Sequence, residues 1–140
     1  EVSLSTGQGC VEALRGEGNA PLGEIMYSDG TIIISDRRDP ENPQVFVRSN
    51  AEYLANFAKQ PASINEVMDY NFILVSDGVG QVWGPYRFMV EGKTTHCGIN
   101  AMTFIETKEY LWLLGNTTFT MVPPDECGNL DAPPAPEDSE

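Results

Sequence analysis

Residues 65–122 constrain this chain most. They hold four apolar runs rich in β-branched and aromatic residues, with no helical periodicity, cut at Asp77-Gly78, at Glu91-Gly92 and over residues 107–109. An acidic residue followed by glycine suits a two-residue hairpin turn, because both central positions of such a turn need a positive φ. The spacing predicts strands over residues 65–76, 79–90, 93–106 and 110–122. Each is about 12 residues, twice the usual five or six. Strands that long, preceded by short helices, imply an α+β domain built on one strongly curved antiparallel sheet.

The upstream chain supplies the helices. Residues 10–15 (CVEALR) read as a short helical stretch. In residues 20–27, Leu22, Ile25 and Met26 fall at i, i+3 and i+4 behind Pro21, one helical face. Ser28-Asp29-Gly30 reads as a stop and turn. Thr31–Ser35 (TIIIS) is a buried strand by composition, and residues 44–47 form a short one. Residues 49–60 carry the clearest helix start, a capping box made by Ser49 and Glu52, followed by an apolar stripe of Tyr53, Leu54, Phe57 and Ala58. Pro61 bars a continuation.

Pairing the hairpin at Glu91-Gly92 with Val90 facing Lys93 sets Arg87 against His96, Pro85 against Gly98 and Trp83 against Asn100. A three-residue loop at 107–109, with Glu106 facing Tyr110, sets Phe104 against Trp112, Met102 against Leu114 and Asn100 against Asn116. One face then carries Trp83, Arg87, His96, Asn100, Trp112 and Asn116. It mixes aromatic rings with a few convergent polar groups, the composition of a small-molecule pocket. The other face carries Val82, Tyr86, Phe88, Cys97, Ile99, Ala101 and Ile105, an apolar surface fit for a subunit interface. A single bulge would invert part of this register.

Composition excludes several classes. A net charge of −13 over 140 residues, with only eight scattered basic residues, argues against nucleic acid. No apolar run reaches the length of a membrane-spanning helix. One histidine and dispersed carboxylates make no metal shell, and no phosphate loop, dinucleotide glycine motif or Ser-His-Asp order is present, so no cofactor is expected. Cys10, Cys97 and Cys127 are too far apart for a zinc knuckle. One disulfide with a free thiol, in an oxidising compartment, and three buried thiols are both compatible with them. The chain opens at Glu1 without methionine, as a processed exported protein or a trimmed chain would, and export is favoured over the cytoplasm. Asn116-Thr117-Thr118 matches the glycosylation acceptor pattern, but the register above turns Asn116 inward.

The run VWGPYRFMVEGKTTHCGINAMTFIETKEYLWLL, with the helices before it, resembles the nuclear transport factor 2-like superfamily, and within it the SnoaL-like branch. The likeness is most specific at Trp83-Gly84-Pro85-Tyr86 and His96-Cys97-Gly98. It spans residues 10–122, with a lead-in over residues 1–9. The first helix departs from the pattern, being short and broken by Gly16 and Gly18. The resemblance implies a cone-like fold with three short helices packed on the concave face of the sheet, a pocket between them, and a homo-oligomer, often a dimer, through the outer sheet face. It does not imply one reaction, since relatives include isomerases, dehydratases, hydrolases and non-catalytic binding or assembly domains. Residues 123–140 hold five of the ten prolines and six acidic residues without a basic one. They read as a disordered tail; the alternative is an arm docked on a partner, tethered through Cys127.

Three functional readings follow. The first is a domain binding a small apolar or aromatic molecule through Trp83, Arg87, Asn100, Trp112 and Asn116. The second is an isomerase, dehydratase or hydrolase with His96 as general base, its pKa depressed by Arg87. The third is a structural subunit of an extracellular or envelope assembly. Arg87 would otherwise pair with Glu66 or Asp69, the two asparagines with each other, and the two tryptophans would be core. Asp29 is a rim acid or a turn residue. Cys97 adjoins His96 but points to the opposite face of the strand, which argues against a Cys-His pair.

Overall fold

The computed structural model describes residues 25–57, 63–108 and 111–134. Among them are seven strands: β1 (Met26–Asp36), β2 (Gln44–Ser49), β3 (Ile64–Met68), β4 (Phe72–Ser76), β5 (Val79–Val90), β6 (Lys93–Lys108) and β7 (Leu111–Met121). One α-helix, α1 (Asn50–Phe57), and a 3₁₀ helix, Pro124–Leu130, complete the described elements. The helical expectations over residues 10–15 and 20–24 lie outside the described residues.

The sheet runs β2-β1-β7-β6-β5-β3, with β4 also on β5. β3 and β4 are two halves of one bulged edge strand. Between them Asp69 N donates to Pro85 O and Asn71 N to Trp83 O, each at 3.0 Å. The sheet is not wholly antiparallel as expected, because β1 joins β7 in parallel.

Both hairpin turns form where acidic-Gly pairs predicted them. Asp77 and Gly78 have φ of 49° and 83°, and Glu91 and Gly92 have 51° and 82°. Glycine takes that region without a steric penalty, which is why it holds the second place. The third loop differs from expectation: Lys108 pairs with Leu111, rather than Glu106 with Tyr110. The capping box of α1 is reciprocal, with Glu52 N donating to Ser49 Oγ and Ser49 N to Glu52 Oε1, each 3.0 Å. Tyr53 and Leu54 of α1 pack on the core formed by Met26, Ile32, Met68, Val82, Tyr86, Met102, Phe104, Trp112 and Leu114.

Residues 26–30 are strand, not the helix end and turn read from the sequence. Met26 pairs with Leu114 and Thr31 with Asn116, so the residues between bulge out of the ladder. Asn50, fully buried at the start of α1, holds that bulge. Its Nδ2 donates to Tyr27 O at 2.7 Å, Gly115 O at 3.1 Å and Leu114 O at 3.3 Å.

On the outer face, residues 123–134 cross the sheet as a strap. A disulfide joins Cys97 of β6 to Cys127 of the 3₁₀ helix, and Arg87 Nε donates to Pro133 O at 2.6 Å.

Candidate functional site

A single extra residue decides which side chains meet on the inner face. Val90 pairs with Lys93 and Met89 with Thr94, as the turn dictates, but Phe88 then pairs with His96. Thr95 is the extra residue, a bulge that slips the register by one from there on. Because strand side chains alternate, the slip exchanges the two faces of β5 relative to β6. Val82, Tyr86 and Phe88 therefore share the inner face with His96, Asn100, Met102 and Phe104. Trp83 and Arg87 share the outer face with Cys97 and Ala101.

A second irregularity at Gly115 does the same to β7. Trp112 and Leu114 are buried on the inner face, while beyond Gly115 Thr117 points inward and Asn116 is exposed outside. Of the six residues expected to share one surface, His96, Asn100 and Trp112 do so, and Trp83, Arg87 and Asn116 do not. Trp83 instead meets Phe72 edge-on, with ring centroids 5.5 Å apart. Arg87 binds the strap and donates from Nη1 to Thr94 Oγ1 at 2.9 Å. Asn116 Oδ1 accepts from Thr31 N at 3.1 Å.

The inner face is apolar with a polar seam. Asn100 Nδ2 donates to Glu66 Oε2 at 3.0 Å and lies 3.5 Å from Met68 Sδ. Both Asn100 and Glu66 are 7% exposed, deep enough that an unmade hydrogen bond would be costly. Thr117 is buried on the neighbouring strand, and none of the described residues offers a partner to its Oγ1, nor to Trp112 Nε1. Tyr86 donates from its hydroxyl to Thr120 O at 2.5 Å. Burial, and then the Glu66 carboxylate, hold its phenol well above the ordinary range, so it stays a proton donor.

His96 lies at the other end of the seam. Its ring stacks on Phe88 (centroids 5.0 Å, planes 20° apart) and meets Tyr86 edge-on. Its Nδ1 is 3.0 Å from Thr95 Oγ1. Burial lowers its pKa to about 4, with the Arg38 guanidinium lowering it further and the Asp36 carboxylate opposing. The neutral imidazole expected from sequence thus follows first from burial, and the guanidinium that adds to it is Arg38, not Arg87. Arg38 grips Asp36 with Nε to Oδ1 at 3.0 Å and Nη2 to Oδ2 at 2.8 Å, and this bond holds the Asp36 carboxyl below its ordinary value.

Glu66 pairs with Phe88, and Phe88 with His96. The backbones of Glu66 and His96 are thus two strands apart, about 10 Å, and the Glu66 carboxylate is engaged by Asn100. The arrangement binds and orients more readily than it transfers protons. Among the described residues no group of three His, Cys, Asp or Glu is placed to hold a metal ion. Asp29 is exposed within β1. Sequence reasoning missed the inward roles of Glu66, Tyr86 and Thr117. The apolar alternation of Val82, Tyr86 and Phe88 was the signal for the β5 face.

No family model matches the chain, and no curated protein matches it in sequence. Solved structures do match. A conserved protein from Planctomyces limnophilus superposes with a TM-score of 0.66 at 16% identity, over 86% of this chain and 93% of that one. A nuclear transport factor 2-like protein from Cytophaga hutchinsonii gives 0.65 at 12% identity, over 84% and 93%. A proposed ketosteroid isomerase from Shewanella frigidimarina gives 0.58 at 14% identity, over 85% and 94%. The chain has the nuclear transport factor 2-like fold.

Proposed function

We propose that this chain, with its nuclear transport factor 2-like fold, is a small-molecule-binding domain of the SnoaL-like type whose ligand lies against the inner face of the sheet. The observation that carries the reading is the buried Glu66–Asn100 pair, set among Met68, Met102 and Phe104 beside the hydroxyl of Thr117, which has no partner among the described residues. Polar groups kept in an apolar wall at that cost are the usual way a pocket orients a mostly apolar ligand.

The test uses Trp112 as reporter, after Trp83→Phe removes the outer tryptophan. A saturable change of emission on titrating apolar molecules that carry one carbonyl or hydroxyl, weakened at least tenfold by Asn100→Leu, supports the reading. No saturable response, together with no small molecule retained by the purified chain in native mass spectrometry, overturns it.

A second reading is an isomerase, dehydratase or hydrolase with His96 as base, favoured by the neutral imidazole on the same face. His96→Ala separates the two. Binding that survives while turnover is lost supports the enzyme, and a ligand bound unchanged by the parent chain counts against it.

The reading includes a homo-oligomer through the outer sheet surface. Val47, Ile33, Thr118, Ala101, Trp83 and Phe72 form one registered row across six strands there. Val47 and Phe72 are 60% and 59% exposed. The disulfide supports an exported, oxidising setting.

A further inference from the structure

Free sheet edges invite pairing, and proteins guard them with charge, proline or cover. Three described strands lie on edges here. β2 follows Pro43, carries Arg48 and runs into α1. β3 carries an inward-pointing charge, Glu66, within its five residues. β4 (FILVS) has neither charge nor proline. Its Phe72, Leu74 and Val75 are 59%, 65% and 50% exposed. In a chain of net charge −13, an uncharged and exposed edge is the exception.

We propose that two copies of this chain join antiparallel through β4, about a two-fold axis at Leu74. The proposal rests on the homo-oligomer part of the reading above, and it moves the contact from the outer surface at large to the β4 edge, where that row ends at Phe72. The ladder geometry selects the register. Ser76 and Val79 flank the two-residue turn and bond to each other, so residues 72, 74 and 76 bond inward to β5. The N–H and C=O groups of Ile73 and Val75 point to the open edge. Centring the pair on Leu74 sets Ile73 of one copy against Val75 of the other, both outward-bonding, and closes about four hydrogen bonds.

The strand is self-complementary, as a two-fold contact requires. Leu74 meets Leu74 of the second copy at a non-hydrogen-bonded position, where side chains approach closest, and Phe72 meets Ser76. Beyond them Asp77 faces Asn71, and Asp69 faces Val79, so no two carboxylates are opposed. The two sheets fuse into one, and the exposed outer-face residues Phe72 and Leu74 become interior to the joint.

Val75→Pro tests this. It removes an outward N–H and leaves every bond to β5 in place, a position where an edge strand accepts proline. Leu74→Arg repeats the test without touching the backbone. Ile33→Asp, on the outer face away from the edge, is the control. Mass by light scattering should show a dimeric parent, a dimeric Ile33→Asp, and monomeric Val75→Pro and Leu74→Arg. The parent's Ile73 and Val75 amides should exchange hydrogen slowly. A dimer that survives both edge variants but not Ile33→Asp, or open-rate exchange at those amides, overturns the edge contact and leaves the homo-oligomer standing. A parent that is monomeric at every concentration overturns both.

Discussion

His96 is the chain's only histidine, so its titration can be followed without assignment ambiguity. Its ordinary value is 6.5, and the fold lowers it to about 4. Because the folded value lies below the unfolded one, the unfolded chain takes up the proton first as the pH falls. The stabilisation is therefore complete above about pH 6.5 and is lost as the pH drops from there toward 4. At ~1.4 kcal/mol per tenfold change the gap is worth about 3 kcal/mol, reduced toward 2 by solvent at the ring edge. Many carboxylates titrate in the same range, so the quantity to measure is a difference. Urea unfolding of the parent and of His96→Phe, compared at pH 7 and pH 4, should show the parent losing about 2–3 kcal/mol relative to the variant. Arg38→Gln removes a charge that opposes protonation and frees Asp36 to favour it, so the ring-proton NMR titration of His96 should move upward. A histidine titrating at or above 6.5, or one that ignores Arg38→Gln, refutes the account. The same titration bears on mechanism: a reaction using His96 as base shows no histidine inflection near neutrality.

Three further outcomes follow from local contacts. Asn50→Ala strands the carbonyls of Tyr27, Leu114 and Gly115 and should cost about 2–4 kcal/mol in urea unfolding; a loss under 0.5 would show that the bulge holds itself. Replacing Cys97 and Cys127 by serine opens a cross-link of sequence separation 30 and should cost about 3–4 kcal/mol by loop entropy, with faster amide exchange over residues 123–134; unchanged exchange there would show that the strap docks without the bond. Gly98→Ala brings a methyl against Thr120 O, where a Cβ would sit 1.8 Å away. It should separate β6 from β7, lowering the melting temperature by roughly 5 °C or more, and a melting temperature equal to the parent's would refute the contact.

What the sequence revealed was local. Glycine at Gly78 and Gly92 marks positive φ, and Ser49 with Glu52 marks a helix start within three residues, so turns and cap were legible. What stayed hidden was set at long range. Met26 reads as helix from its neighbours, yet it pairs with Leu114, and the bulge that permits this is held by Asn50. The parallel docking of β1 on β7 has no local signature. The depressed histidine was foreseen, but its arginine was assigned by hairpin register, and Arg38 reaches it from beyond the end of β1.

The bulge at Thr95 shows why one residue decided the site. A straight ladder from Glu91-Gly92 would turn Arg87 inward, and an unpaired guanidinium in an apolar wall costs several kcal/mol. It would also turn Val82 and Tyr86, now 0% and 2% exposed, outward. Leaving Thr95 out of the ladder forfeits about one hydrogen-bonded pair, near 1 kcal/mol, so the slipped register wins. Deleting Thr95 removes the bulge but preserves everything beyond it, because His96 then follows Thr94 directly and still faces Phe88. Lys93, Thr94, His96 and Cys97 alternate faces without interruption, and Cys97 stays opposite Arg87, within reach of Cys127. The deletion should cost no more than about 2 kcal/mol, the contacts of Thr95 Oγ1 included. Trp83 should remain open to an aqueous quencher and Trp112 closed. Deleting Ile99, downstream of the bulge, should instead invert Asn100, Met102 and Phe104 and abolish folding. If the Thr95 deletion unfolds the chain, or the Ile99 deletion is tolerated as well as the other, the inner face was not chosen by the cost of burying Arg87.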